Sequence, residues 1–272
     1  MEPCEVARHM NEIARFVGPR DVAALDRASL SEEGLEGGVA DVAVLFGGSI
    51  VAGGDVLAQA MRSGVARSYV ISGGAGHTTE TLREQMRRLH PEVEFADGAS
   101  EAEVFDAYLR SRYGLRVDAL ETRSTNCGNN VTNLLSLLEG RAIAHGSMIV
   151  IQDATMQRRM EAGLRLRAPE VRVINYASYR VEVVASASEG RELLGYDHEP
   201  DGMWDVARYR ALLMGEVPRL VDDERGYGPS GTGYIAHVDV PASVRASFEA
   251  LRSAYPDSVR EANPAFASQA GR

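Results

Sequence analysis

The sequence predicts an α/β protein: a Rossmann-like, doubly wound, mainly parallel sheet with N-terminal helices and a smaller C-terminal region. Short continuous apolar runs, ADVAVLFGG, SYVISGG and GSMIVIQD, alternate with amphipathic segments of helical length. Strands apolar on both faces belong in a parallel sheet covered by helices, and parallel neighbours need crossover connections. The length of 272 residues allows one large domain, or a smaller one with an appendage, and ample core in either case.

Residues 3 to 17 and 20 to 30 have helical apolar spacing (Val6, Met10, Ile13, Phe16 and Val17, then Val22 and Leu25), and the SEEGLEGG that follows reads as a linker. Residues 1–38 are therefore expected to form an N-terminal helical segment. The core, 39–177, reads as ADVAVLFGG, a helix at 55–64, SYVISGG, helices at 78–89 and 100–113, and VDALE. It continues with a helix at 127–139, GSMIVIQD, a helix at 154–167, and VRVINYA. After Tyr176 the alternation decays. Residues 178–256 are expected to form a smaller lobe on the core, with helices near 203–214 and 242–254, a loop DDERGYGPSGTG and a strand-like YIAHVDV. Small polar residues, with Pro256 just before them and Pro264 among them as breakers, predict a disordered tail over 257–272.

Composition narrows the chemistry. The formal net charge is −10, so no basic surplus exists to neutralise phosphates of nucleic acid or an anionic membrane, and a small-molecule ligand is the expected partner. No lysine occurs among the 29 basic residues, which excludes a Walker A loop and a Schiff-base lysine. Cys4 and Cys127 are too few for a disulfide framework and neither has zinc-ligand spacing, so no metal site is expected and a reducing compartment is favoured. No apolar run reaches bilayer length and the first twenty residues lack a signal-peptide core; the expectation is a cytoplasmic protein with no membrane partner.

In open parallel sheets ligands bind beyond the carboxyl ends of the strands, and four segments there are rich in small and polar residues. In LFGGSIVAGGD, Gly47 and Gly48 either bring backbone N–H groups to a ligand or serve only a tight turn, and Asp55 either faces a ligand or caps a helix. In ISGGAGHTTETL, Gly73, Gly74 and Gly76 with His77 suit a phosphate or carboxylate at a helix start, although the pattern is not the dinucleotide fingerprint. In STNCGNN, after Glu121, Asn126 is a natural helix cap with Cys127, Gly128 and Asn129 in the first turn, where the helix dipole would lower a thiol's pKa. Cys127 is then either a nucleophile, with His77 and Glu121 as base and orienting acid, or a small half-buried thiol in a ligand-holding loop. In VIQDATMQRR, Asp153 ends a strand, and Arg158 and Arg159 near a helix N-terminus oppose its dipole, which points to an anionic ligand or to an ion pair with Glu101, Glu103 or Glu121. Further on, GEVPRLVDDERGYGP reads as a loop bearing Arg219, Asp222, Asp223 and Tyr227, either a lid or a connector.

Taken together, DVAVLFGG, ISGGAGHTT, GASEAE around Glu101, Glu121 through STNCGNN, VIQDATMQRR, and MGEVPRLVDDERGYGP followed by HVDVPASV resemble the YdcF branch of the bacterial YdcF/SanA/ElyC domain family, over about residues 40 to 250. The resemblance implies a Rossmann-like core, a cytoplasmic location and binding of S-adenosyl-L-methionine at the strand ends, with no settled reaction. The envelope role of the membrane-anchored SanA and ElyC types does not carry over. Thr155 and Met156, as in the YdcF branch, stand where many wider-family members carry a histidine before the arginine, and Asn129 departs from the branch itself by replacing the glutamate of its Gly-Glu-Asn triplet.

The leading expectation is a nucleotide-type ligand-binding protein, and an enzyme, using S-adenosyl-L-methionine as cofactor, cradled by Gly47, Gly48, Gly73, Gly74 and the Asn126 turn. Glu121 or Asp153 would serve its hydroxyls or amino group. The alternatives are a hydrolase or transferase built on Cys127 and His77 that acts on a small anionic metabolite, and a non-catalytic metabolite sensor.

Overall fold

The computed structural model describes residues 1–76, 78–188 and 191–256. His77 and the tail 257–272, including the disorder expected for it, lie outside the described residues. The chain runs through α1 (Pro3–Val17), α2 (Arg27–Glu32), β1 (Ala40–Phe46), α3 (Ala52–Ser63), β2 (Ala66–Ser72), α4 (Thr79–Leu89), α5 (Glu101–Tyr113) and β3 (Ala119–Glu121). It continues with α6 (Cys127–Gly140), β4 (Ser147–Ile151), α7 (Gln157–Arg167), β5 (Arg172–Asn175), β6 (Val183–Ser188), β7 (Arg191–Tyr196), α8 (Val206–Leu220) and α9 (Ala242–Ala254).

The five-stranded sheet has the order β3-β2-β1-β4-β5 with every pair parallel. Its two faces are read directly from the period of two along β1. Ala43 and Leu45 pack with Leu57, Phe105 and Tyr108 of α3 and α5, while Val42, Val44 and Phe46 pack with Val131, Leu134, Met160 and Leu164 of α6 and α7. Helices therefore cover both faces, which is the doubly wound α/β arrangement that the apolar runs imply.

A second core joins the two ends of the chain. Val6, Met10, Ile13 and Val17 form one stripe of α1 and pack with Tyr209, Leu213 and Val217 of α8 and Val244 and Leu251 of α9. The N-terminal helix and the C-terminal region thus share one apolar cluster.

The structure departs from the sequence reading in five places. Residues 20 to 26 are not helical: Asp21 exchanges backbone and side-chain hydrogen bonds with Asn175, and Arg20 bridges Tyr176 in antiparallel sense, so this segment covers the outer edge of β5. SEEGLEGG is an anchored connection, with Leu30 buried just before it and Leu35 buried within it. β6 and β7 form an antiparallel hairpin that the residues VVASAS, mostly small, did not announce. YIAHVDV is no strand, because its amides go elsewhere: Ile235 N donates to Tyr227 O and Ala236 N to Ala162 O, while Ile235, Val238 and Val240 turn inward. Helix α8 also extends to Leu220 through Pro218, so Glu216 and Arg219 lie on a helix and the loop begins after them.

Candidate functional site

Strand order fixes where a site belongs. From β1 the chain crosses to β2 on one side and later to β4 on the other, so the connections leave the carboxyl ends of β1 and β4 in opposite directions and open a crevice between them. Gly47 and Gly48 follow β1, and Gln152 and Asp153 follow β4.

On the β2 side the glycines are contact points between loops. Gly47 N donates to Ser72 O, Gly73 N to Glu121 O, Gly74 N to Ser124 Oγ (2.8 Å) and Gly76 N to Thr79 Oγ1 (2.7 Å), so these four amides tie loops together. A Cβ on Gly74 would stand 2.0 Å from Ser124 O, and one on Gly47 would stand 2.4 Å from Glu101 Oε2; only glycine permits these approaches. Gly48 differs: its N–H meets no acceptor within the chain among the described residues, and Gln152 Oε1 lies 3.6 Å from where its Cβ would be.

Glu121 is the organiser of the STNCGNN loop. Its buried Oε1 accepts from Arg123 N (2.7 Å), Ser124 N (3.1 Å) and Asn133 Nδ2 (3.2 Å), and its Oε2 accepts from Ser72 Oγ (3.3 Å). Asn130 Oδ1 adds two hydroxyl contacts, from Ser124 (2.6 Å) and Ser72 (3.2 Å). Both carboxylate oxygens are occupied, so Glu121 holds backbone in place here.

Asn126 and Asn129 cap α6 reciprocally, each side-chain oxygen accepting the other's backbone N–H at 3.0 Å. Asn129 therefore stands at the capping-box position that glutamate commonly fills, and its Oδ1 also accepts from Thr125 N (2.9 Å). The first-turn N–H groups of Cys127 and Gly128 remain without an acceptor among the described residues.

Cys127 is half-buried at the start of α6, between charges of opposite sign. Burial pushes its thiol above the ordinary value; Arg159 works against this, and Glu216 and Glu101 add to it. The lowered pKa expected from the helix N-terminus is thus not found, because desolvation outweighs the favourable dipole. Arg159 reaches Glu216 through a two-pronged pair, Nε to Oε2 at 2.6 Å and Nη2 to Oε1 at 2.9 Å. This partner comes from α8, not from Glu101, Glu103 or Glu121. Arg219 and Tyr227 stand behind it: Arg219 lies 3.9 Å from Glu216, and its Nε donates to the Tyr227 hydroxyl at 3.4 Å.

Arg158, the other arginine of the pair, turns away from the strand ends. Its Nε donates to Phe16 O and its guanidinium lies 4.4 Å from the centre of the Phe16 ring, so it fastens α7 to α1. Asp55 likewise accepts from Tyr108 and Tyr113, bracing α3 against α5. Asp153 Oδ1 accepts from Thr155 N, Thr155 Oγ1 and Tyr179 OH (2.7 Å), leaving Oδ2 without a partner among the described residues.

Three further side chains belong to this site, of which the sequence reading named only Glu101, and that as an ion-pair partner for the arginines. Glu101 is buried in the first turn of α5, where its Oε1 accepts from Thr78 (3.0 Å) and Thr79 (2.9 Å), and burial pushes its carboxyl above the usual carboxylate range. Glu216 completes the Arg159 pair, and Gln152 Nε2 is buried without an acceptor, as are the Ser49 and Ser178 hydroxyls nearby in the β1 and β5 exits. Gln152 was legible in part, as the polar residue ending a buried strand; Glu101 and Glu216 sit on helices, outside the strand-exit rule.

Among the described residues no group of His, Cys, Asp and Glu could hold a metal ion, and no helix is long and apolar enough to cross a membrane. A scan of the chain against models of known protein families finds none that matches.

Proposed function

We propose that the strand-end crevice binds a small nucleotide-type ligand, with S-adenosyl-L-methionine the best candidate, and that the chain is a YdcF-like protein. One observation carries the reading. At the β1–β4 exit, the Gly48 N–H, Gln152 Nε2, the Ser49 hydroxyl and Asp153 Oδ2 all lack partners among the described residues, at the place where open α/β sheets take their ligands. A buried polar atom without a partner costs about 1–3 kcal/mol, a cost that a bound group with complementary donors and acceptors removes. Asp153 Oδ2 and Gln152 Nε2 together offer an acceptor and a donor, the pair that neighbouring hydroxyls of a sugar require.

Calorimetric titration with S-adenosyl-L-methionine tests the reading. A saturable heat with one site per chain is expected; no heat at high-micromolar ligand sinks it. A thiol mechanism at Cys127 gains less support, since burial holds the sulfur protonated and Glu121 is fully engaged in the loop.

A further inference from the structure

Glu101 is a carboxylate held where carboxylates are expensive. It is 6% exposed, both its hydroxyl donors converge on Oε1, and Oε2 lies against Gly47, 2.4 Å from where a Cβ there would stand, with no donor among the described residues. No arginine hydrogen-bonds to it. Arg83 acts on it only from a distance, so among the described residues Oε2 keeps an open position for a donor carried by a ligand. The same loop system presents the opposite polarity a short distance away. Glu101 N donates to Gly74 O and Gly74 N to Ser124 Oγ, in the loop that precedes α6; the first-turn N–H groups of Cys127 and Gly128 are unengaged among the described residues, and the Glu101 charge acts on Cys127. Arg159 stands beside that turn, with Nε and Nη2 fixed by Glu216 and its guanidinium in hydrogen-bond reach of the Cys127 sulfur.

We propose that this pair of features, bare Glu101 Oε2 and the α6 first turn with Arg159, recognises the α-amino-acid end of the ligand. The ammonium donates to Glu101, and the carboxylate accepts from the Cys127 and Gly128 amides and the guanidinium. The proposal rests on the strand-end reading above and names what that site takes: a zwitterionic amino-acid group rather than a phosphate. The acid side argues against a phosphate, since Glu101 would repel it at close range. Arg159 and the helix dipole supply the complementary positive field.

The test compares ligands that share the adenosyl part but differ at this end. The full chain is titrated with S-adenosylmethionine, S-adenosylhomocysteine, 5′-methylthioadenosine, which lacks the amino-acid group, and free L-methionine. The two amino-acid-bearing nucleosides are expected to bind about tenfold or more tighter than methylthioadenosine. Glu101→Gln is expected to remove most of that difference and to leave methylthioadenosine affinity unchanged. Equal affinity for all three nucleosides, with no effect of Glu101→Gln, overturns the proposal and leaves the adenosyl-binding reading standing. Binding of L-methionine that depends on Glu101, with no binding of any nucleoside, supports the proposal and overturns the cofactor reading. Absence of binding by every ligand overturns both. The comparison of ligands on the unaltered chain needs no variant, and thermal melting of Glu101→Gln shows that its fold is intact.

Discussion

Glu101 brings a carboxylate into an enclosed position with two threonine hydroxyls for company, and burial raises its pKa despite those hydrogen bonds and the more distant Arg83. The sign of the consequence follows from linkage. A carboxyl whose folded pKa lies above its unfolded value binds more protons when folded, so its contribution to stability grows as pH falls from the folded pKa toward the unfolded one. Glu101→Gln, which keeps an oxygen for Thr78 and Thr79 but carries no charge, is therefore expected to melt at the same temperature as the parent or higher at pH 8, with the difference shrinking as pH falls toward 5. A variant that melts lower at pH 8 would show that the ionised carboxylate is stabilised by its surroundings. The glycines and the Asn126 turn could be read in the sequence because they follow the strands, where small residues have an evident geometric use. Glu101 could not, because its approach to Gly47 depends on how α5 packs across two strands, and nothing within a few residues of it marks that contact.

The loops at the strand ends behave as elements with their own internal logic, and Gly74 and Gly76 separate its parts. At Gly74 a methyl group would meet the Ser124 backbone at 2.0 Å, whereas at Gly76 the nearest atom, Thr125 O, is 3.4 Å away. Gly74→Ala is expected to destabilise the protein by about 2–3 kcal/mol in urea unfolding, since backbone must move. Gly76→Ala should lie within about 1 kcal/mol of the parent, in either direction. Equal effects would mean that the Gly74–Ser124 contact is not rigid. The loop after α8 is held differently. Asp222 accepts from Ser230 N at 2.7 Å and meets His237 Nδ1 at 2.6 Å, while His237 Nε2 meets Asp239 at 3.0 Å. The hydrogen bonds to Asp222 and Asp239 raise the His237 pKa, so the charged tie is complete below the ordinary histidine value and is lost as pH rises through the raised one. Hydrogen exchange of residues 222 to 233 is expected to quicken between pH 6 and 8.5 beyond the intrinsic rate change, and His237→Gln should abolish that extra dependence. The parallel sheet was legible because strands buried on both faces appear as unbroken apolar runs. The C-terminal region was not: the small residues of β6 hide a hairpin, Pro218 suggests an earlier end to α8, and the alternation of YIAHVDV packs into the second core without pairing as a strand.

Across the whole molecule, one buried ion pair spans the two cores. Arg159 belongs to α7, on the sheet; Glu216 belongs to α8, in the cluster that also holds α1 and α9. The side chains are 15% and 8% exposed, so the Arg159 charge relies on Glu216, which also has Arg219 at 3.9 Å. Burial by itself would lower the arginine's pKa, but the Glu216 carboxylate hydrogen-bonded to it works against this, and the guanidinium stays charged even when its partner is removed. Breaking such a pair from one side is costly because an uncompensated charge remains buried, while replacing both partners by apolar groups is often close to neutral. Glu216→Ala is therefore expected to destabilise the chain by about 3–5 kcal/mol, and the double variant Arg159→Met with Glu216→Leu to recover most of that loss. Because Met10 and Ile13 of α1 pack into the same cluster as Leu213 and Val217 of α8, the loss should appear in a single urea transition, followed equally by far-ultraviolet circular dichroism and by the fluorescence of Trp204. Two separated transitions would instead mean that the C-terminal region unfolds from the sheet on its own. Recovery of stability in the double variant, combined with lost ligand affinity, would identify the pair as a positioning device for Arg159 rather than a source of stability.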